Sequence, residues 1–110
     1  MVLDFWHSGC APCIATFPEI KKISETYRDK LTVISISIDS DSRWKATTAK
    51  HDMPWENLRD PQIANGLFSN YGADGTPTYI MISPKGKIID IWWGDGKISL
   101  TNKVSENMGL

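Results

Sequence analysis

Two cysteines separated by two residues are the most informative chemical feature of this sequence. Cys10 and Cys13 are the only cysteines among its 110 residues. They lie where an apolar stretch ends and a helix is predicted to begin, which is typical of a redox pair. A disulfide between them would close too short a loop to add much stability to the fold. We therefore interpret the pair as a reversible electron store.

The predicted helix start assigns different roles to the two sulfurs. If the helix begins near Ala11, its unpaired N–H groups and its positive dipole end face the Cys10 sulfur. They favour the thiolate and lower the pKa of Cys10 below its usual value of about 8.5. Cys13 lies one turn inside the helix and is shielded, so Cys10 is predicted to attack and Cys13 to resolve the mixed disulfide. Pro12 fits the first turn, where its missing N–H has no partner to lose.

A carboxylate interrupts the apolar strand that precedes the cysteines. Residues 2–6 are apolar and branched or aromatic apart from Asp4, as expected of a strand buried on both faces. Asp4 should be costly to ionise there, so its pKa is predicted to rise. Because it lies six residues before Cys10, Asp4 is a candidate proton acceptor and donor for Cys13. The alternative is a carboxylate at the strand end that bonds to backbone and has no catalytic role.

The first half of the chain predicts a strand–helix–strand unit around the cysteines. Apolar residues recur at helical spacing from residue 11 to about 29, and Pro18 should kink this helix. Residues 31–38 are rich in β-branched side chains and predict a strand parallel to the first. A short helix is expected next at 42–51, followed by an extended segment.

The second half predicts a hairpin between two helices. Asp60-Pro61 is typical of a helix start, with Asp as cap and Pro at the first position. This helix is expected to turn Ile63, Leu67 and Phe68 inward. Pro84-Lys85-Gly86-Lys87 predicts a hairpin turn between antiparallel strands. The remaining predicted elements are strands at 78–83 and 88–93 and a helix at 99–106.

Composition narrows the class of protein. Hydrophobic residues make up 41% and charged residues 23%, which is ordinary for a globular domain. The formal net charge of -1 gives no field that would attract nucleic acid or an anionic membrane, and no apolar run approaches the roughly 20 residues of a membrane span. Strand residues follow Met1 directly, so we expect residues 1–110 to be a single domain cut from a longer protein.

Motifs from both halves of the chain support a resemblance to a known family. The cysteine motif is similar to that of the thioredoxin fold, and the loop Gly75-Thr76-Pro77-Thr78 resembles the loop that carries its cis-proline. Within this fold, the chain resembles the TlpA/ResA-type thiol–disulfide oxidoreductases of the bacterial cell envelope. The resemblance extends over almost the whole chain and rests further on Asp4-Phe5-Trp6, Pro18, Ser37-Ile38-Asp39, Trp44, Pro54-Trp55 and Pro84-Lys85-Gly86-Lys87.

The resemblance implies a thioredoxin-like α/β fold, in which a central mixed β-sheet is flanked by helices and lacks the usual N-terminal strands. It implies that Pro77 is cis and that the Thr76 backbone binds an extended substrate peptide as an added strand. Trp6, beside the active-site turn, and Pro12 would complete the substrate-binding surface. No cofactor is implied. The partners would be protein thiol or disulfide substrates and an upstream electron donor, in the periplasm or cell envelope.

Three further expectations follow from departures from the family pattern. Without an N-terminal strand, residues 31–38 would be a hydrophobic sheet edge, so we expect a homodimer or a swap through it, or else marginal stability. Thr16 stands where ResA-type proteins carry an acidic residue, so Asp4 is expected to take over that role. Ser35 stands where thioredoxin has a lysine, so without a cationic partner the pKa of Asp4 should rise further.

Several functions are compatible with these residues. A disulfide reductase is the leading hypothesis, since Ala-Pro between the cysteines lacks the His of strongly oxidising relatives. A metal-binding module is the second, because the cysteines together with His7 and His51 supply the ligand types of a zinc or Cu(I) site. Their spacings match no known finger pattern. Peroxidase chemistry ranks lower, because His7 stands where that class has Thr or Ser, and a non-enzymatic interaction module is the remaining alternative.

Overall fold

A computed structural model describes residues 1–94 and 99–109, which contain five strands and five helices. The elements are β1 (Val2–Trp6), α1 (Ala11–Ala15), α2 (Phe17–Thr26), β2 (Val33–Ser37), α3 (Asp41–Lys50), β3 (Glu56–Arg59), α4 (Leu67–Asn70), β4 (Thr78–Ile82), β5 (Ile88–Trp93) and α5 (Leu100–Asn107). In this part of the chain no helix is both long and apolar enough to cross a membrane.

The strands form one mixed sheet in the order β3-β2-β1-β4-β5. β1 and β3 run parallel to β2, whereas β4 pairs antiparallel with both β1 and β5. β1 is therefore the central strand, and each of its residues is buried, as its composition predicted. The predicted α/β fold with a mixed sheet is confirmed, as are the βαβ unit and the hairpin.

Successive side chains of β1 point to opposite faces of the sheet, so the interior has two layers. Trp6 belongs to the larger cluster, which the cysteines, α2 and α5 cover on one side of the sheet. Phe5 points to the other side, where it packs against Phe68 of α4 with the rings edge to face at 5.7 Å. Both faces of the central strand are thus covered, and the cysteines lie over the face that Trp6 shares.

The predicted helix over 11–29 is two helices that meet at Thr16. Thr16 ends α1 and begins α2, and its hydroxyl donates to the Cys13 carbonyl at 2.7 Å. Pro18 has no N–H to continue the ladder and lies in the first turn of α2, where none is needed. The predicted interruption is confirmed, although the second helix ends at Thr26.

The predicted helix from Asp60 is wrong in length and in its buried face. The Asp60 carboxylate accepts from the backbone N–H groups of Gln62 and Leu67, which closes the segment as a turn. Only α4 is helical, and it buries Phe68 as predicted. Ile63 and Leu67 were expected inside, but they are 54% and 39% exposed.

The expected sheet edge at residues 31–38 is also wrong. β2 pairs with β1 on one side and with β3 on the other, so its edge is covered within the chain. β3 was missed because Glu56-Asn57-Leu58-Arg59 is short and carries little apolar character. A short polar strand at a sheet edge is a common protection against association. The predicted homodimer through 31–38 therefore loses its structural basis.

Candidate active site

The two cysteines form a disulfide at the start of α1. Cys10 occupies the N-cap position with an extended backbone, and the N–H of Cys13 donates to the Cys10 sulfur at 3.2 Å. The Cα atoms lie 5.2 Å apart. Cys13 is fully buried, whereas 6% of Cys10 is exposed. This difference in access agrees with Cys10 as the sulfur that a substrate reaches first.

The turn before Cys10 is held by a buried carboxylate. Oδ2 of Asp39 accepts from the backbone N–H of Ser8 and from the hydroxyl of Ser37, both at 2.8 Å. Its Oδ1 accepts from the hydroxyl of Ser8 at 3.0 Å. Sequence reasoning missed this role of Asp39. The available signal was that Asp39 and Ser8 follow neighbouring parallel strands, whose carboxyl ends meet at one edge of the sheet.

A pocket of about 390 Å³ adjoins the cysteine motif. The structure brings three predicted substrate-binding residues together there, namely Pro12, Thr76 and Pro77. The Thr76–Pro77 peptide bond is cis. Trp93 also lines the pocket and is 60% exposed, although the sequence did not indicate it. A shallow, largely apolar surface of this kind suits an unfolded or extended peptide.

Trp6, the fourth predicted substrate contact, lies in the interior. It is 0% exposed and packs its ring edge to face on Phe17 at 5.1 Å. Its position at the end of the central strand, beneath the turn, explains this burial. A side chain that solvent cannot reach does not contact a docked peptide, so we correct its assignment from substrate binding to support of the turn.

Asp4 is buried in the same layer as Cys13. It is 1% exposed, and burial raises its pKa from the usual 3.8 to about 7, against the opposing effect of a hydrogen bond from Ser35. The hydroxyl of Ser35 donates to Oδ2 at 2.6 Å. Oδ1 has no partner among the residues that the structure describes. The predicted rise in the pKa of Asp4 therefore has the predicted cause, desolvation of the carboxylate.

Tyr79 connects the surroundings of Asp4 to those of Cys13. It is the cross-strand partner of Asp4 on β4, and directly paired residues project to the same face of a sheet. The Tyr79 hydroxyl lies 3.0 Å from that of Thr16, which bonds the Cys13 carbonyl. Burial raises the pKa of Tyr79, so its phenol stays protonated at neutral pH. Asp4 and Cys13 thus lie on the same side of the sheet.

The histidines proposed as metal ligands have other contacts. Nδ1 of His7 accepts from the backbone N–H of Gly9 at 3.1 Å. The ring of His51 packs on Phe17, with centroids 5.7 Å apart. Within residues 1–94 and 99–109, no three His, Cys, Asp or Glu side chains are grouped as metal ligands would be. The metal-binding alternative is not supported.

Comparison with known proteins agrees with this geometry. A family model described as thioredoxin-like matches residues 1–88. The chain belongs to the thioredoxin-like family. Thioredoxin-like protein YneN of Bacillus subtilis is 29% identical over 98 residues, which cover 86% of this chain and 56% of YneN. The chain therefore spans little more than half the length of that relative.

Comparison with solved structures supports the same fold and the same reaction class. A protein assigned as the thiol:disulfide interchange protein DsbE of Chlorobium tepidum superposes with a TM-score of 0.82 at 25% identity, over 97% of this chain and 74% of that one. A thiol-disulfide oxidoreductase from Bacteroides fragilis superposes with a TM-score of 0.77 at 27% identity, over 96% and 79%. The predicted thioredoxin fold is confirmed, and the Cys10–Cys13 pair fits dithiol exchange.

Proposed function

We propose that the chain is a thiol–disulfide oxidoreductase that reduces disulfides of protein substrates through Cys10 and Cys13. The observation that carries this proposal is the Cys10–Cys13 disulfide at the start of α1, with the Cys13 N–H aimed at the Cys10 sulfur. A donor in that position stabilises a thiolate more than a thiol. Membership of the thioredoxin-like family supports the same reaction class.

The reaction consists of two exchanges. The Cys10 thiolate attacks one sulfur of a substrate disulfide, so that a Cys10–substrate disulfide forms, the substrate S–S bond breaks and the leaving thiolate takes a proton. Cys13 then gives its proton to Asp4 and attacks the Cys10 sulfur, which releases the second substrate thiolate. Two electrons pass to the substrate, and an upstream dithiol donor reduces the Cys10–Cys13 disulfide again.

Asp4 suits proton transfer in the second exchange because its pKa lies near neutral pH. With a pKa of about 7, its carboxylate can take a proton from Cys13 and its carboxyl group can return one. A carboxylate with the usual pKa of 3.8 would be a much weaker base toward a thiol. The burial that makes Asp4 costly to ionise is therefore useful to the reaction.

The substrate peptide is proposed to lie in the pocket beside the cysteines. The Thr76 backbone is proposed to hydrogen-bond the peptide as an added strand, and Pro12 and Pro77 line the same pocket with apolar surface. Trp93 extends that surface, because its exposed ring lines the same pocket. We expect the bound segment to be locally unfolded and to carry an apolar side chain next to its cysteine.

The direction of electron transfer and the cellular location are proposed from the residues between the cysteines and from the family resemblance. Ala11 and Pro12 between the cysteines provide no imidazole to stabilise the Cys10 thiolate further, which favours a reducing potential. The resemblance to TlpA/ResA-type proteins favours the periplasm or cell envelope. We propose one domain over 1–110, since the described strands share a single sheet.

Two cysteine variants test the reaction. In a dithiothreitol-driven insulin reduction assay, Cys10→Ser should abolish catalysis. Cys13→Ser should stop turnover but accumulate a mixed disulfide with the substrate, visible by non-reducing electrophoresis. Insulin reduction that persists in Cys10→Ser would refute the proposal. A redox potential measured in glutathione buffers tests the direction, and a value near those of strong oxidants would overturn the reductase assignment.

A further inference from the structure

Three buried polar groups form a hydrogen-bonded chain across neighbouring strands. The indole N–H of Trp55 donates to Oγ of Ser35 at 2.8 Å, and Oγ of Ser35 donates to Oδ2 of Asp4 at 2.6 Å. Asp4 and Ser35 are register partners on β1 and β2, and Trp55 directly precedes β3. Their exposed fractions are 1%, 0% and 9%, so water hardly competes for these bonds.

The donor and acceptor atoms of the three side chains set the direction of these hydrogen bonds. An indole N–H can only donate, and a serine hydroxyl has a single hydrogen to give. An ionised carboxylate can only accept, so while Asp4 is ionised the hydroxyl hydrogen of Ser35 is directed to Oδ2, and the Ser35 oxygen accepts from Trp55. In the ionised state Oδ2 is therefore the oxygen that carries a hydrogen bond, and Oδ1 is the one available to take a proton.

Oδ1 is the free oxygen in a largely apolar environment. Among the described residues it has no hydrogen-bond partner. The small space beside Asp4 is lined by apolar side chains of β1, β2, α2 and α5 and by Tyr79 of β4. Tyr79 is the one other titratable group lining it in the described ranges, and its phenol is neutral at pH 7 because burial raises its pKa. Cys13, in the same layer, is the thiol that loses a proton during exchange.

We propose that Trp55 and Ser35 are positioning residues for proton transfer, a role that rests on the proposed function of Asp4. They hold Oδ2 with a donor, leave Oδ1 to take the proton of Cys13, and stabilise the carboxylate, on whose pKa no cation of the described residues acts. In the transfer, the S–H bond of Cys13 breaks and an O–H bond forms at Oδ1. The Cys13 thiolate then attacks the Cys10 sulfur, and in the reverse reaction the proton returns to Cys13.

Two variants weaken the hydrogen bonds that link Trp55, Ser35 and Asp4, each at a different point. Ser35→Ala removes the bond to Oδ2, and Trp55→Phe removes the donor behind Ser35 while it keeps an aromatic ring in the core. Both should raise the pKa of Asp4, read from the ¹³C shift of its carboxyl carbon. We expect a rise of about one pH unit, tenfold in proton affinity, for Ser35→Ala and a smaller rise for Trp55→Phe. The pH midpoint of disulfide exchange should move upward by the same amount.

Two variants serve as matched controls, one at another serine of β2 and one at another tryptophan. Ser37→Ala removes an equally buried serine hydroxyl of β2, one that donates to Asp39. Trp44→Phe removes an indole N–H that has no partner in the described part of the chain. Neither control should move the titration of the Asp4 carboxyl carbon. A shift in the controls as large as in Ser35→Ala would overturn the assignment.

The outcomes separate this proposal from the proposed function. An unchanged Asp4 titration in both Ser35→Ala and Trp55→Phe would overturn the proposal, and so would a shifted titration with an unshifted exchange profile. If the pH profile of disulfide exchange is the same in Asp4→Asn as in wild type, Asp4 does not take the proton. The positioning role proposed for Trp55 and Ser35 is then refuted as well. Absence of disulfide reduction by the wild-type protein would instead refute the proposed function itself.

Discussion

Replacing Asp4 by asparagine should remove a pH-dependent loss of stability from the oxidised protein. The folded carboxyl group has a pKa of about 7, whereas that of the unfolded chain is 3.8. Between these values the folded state binds more protons than the unfolded state, so unfolding releases a proton. The free energy of unfolding therefore falls as the pH rises through this window and is level above it.

The magnitude follows from the difference in pKa. The two values differ by about three units, and each unit corresponds to about 1.4 kcal/mol. Relative to its value near pH 4, the wild-type protein should lose about 4 kcal/mol of stability by pH 8 through Asp4 alone. Asparagine does not titrate. The stability of Asp4→Asn minus that of wild type should thus grow by about 4 kcal/mol over this range, whatever the constant offset from packing.

Urea denaturation of the oxidised proteins between pH 4 and 8, followed by tryptophan fluorescence, measures this difference. With the disulfide closed, the cysteines do not titrate. Asp60→Asn is the matched control, since the backbone N–H groups of Leu67 and Gln62 lower the pKa of Asp60. The contribution of Asp60 to stability is lost only as the pH falls below 3.8, outside this range, so the stability of Asp60→Asn minus that of wild type should stay nearly level between pH 4 and 8. A difference for Asp4→Asn that varies by less than about 1 kcal/mol would refute the reasoning.

Three further predictions concern the pocket, the core and the turn. Trp93→Ala should raise KM for a protein disulfide about fivefold while the alkylation rate of Cys10 stays unchanged, because Trp93 adds apolar surface away from the sulfur; equal KM values would contradict its role. Phe68→Ala should cost about 3 kcal/mol in urea denaturation and Ile63→Ala less than about 0.5, since they are 6% and 54% exposed; similar costs would be inconsistent with this packing. Asp39→Asn should destabilise the protein by about 1–3 kcal/mol, because an amide cannot accept all three bonds from Ser8 and Ser37; wild-type stability would speak against that network.

The parts of the fold that the sequence predicts are those with strong local signals. β1 is entirely apolar except for Asp4, and the cysteines follow it at a spacing that suits a helix start. Burial of Asp4 could be inferred because a central strand leaves its side chains no route to water. The change of helix near Pro18 was equally local, since proline lacks the N–H that the ladder needs.

The parts that it does not predict depend on tertiary pairing. β3 has an alternation of polar residues that also suits a loop, and only its pairing with β2 makes it a strand. Asp60-Pro61 begins a turn as readily as a helix, and the bond from Leu67 to Asp60 decides between them. Trp93 reaches the pocket, and Trp55 reaches Ser35, only because strands far apart in sequence become neighbours.

The central claim is that the Cys10 thiolate is stabilised where it lies, at the start of α1. Alkylation of reduced Cys13→Ser by iodoacetamide, followed as a function of pH, reports the pKa of Cys10 without interference from the second thiol. We predict a midpoint well below the value of about 8.5 for a free cysteine. A midpoint at or above that value would contradict the account.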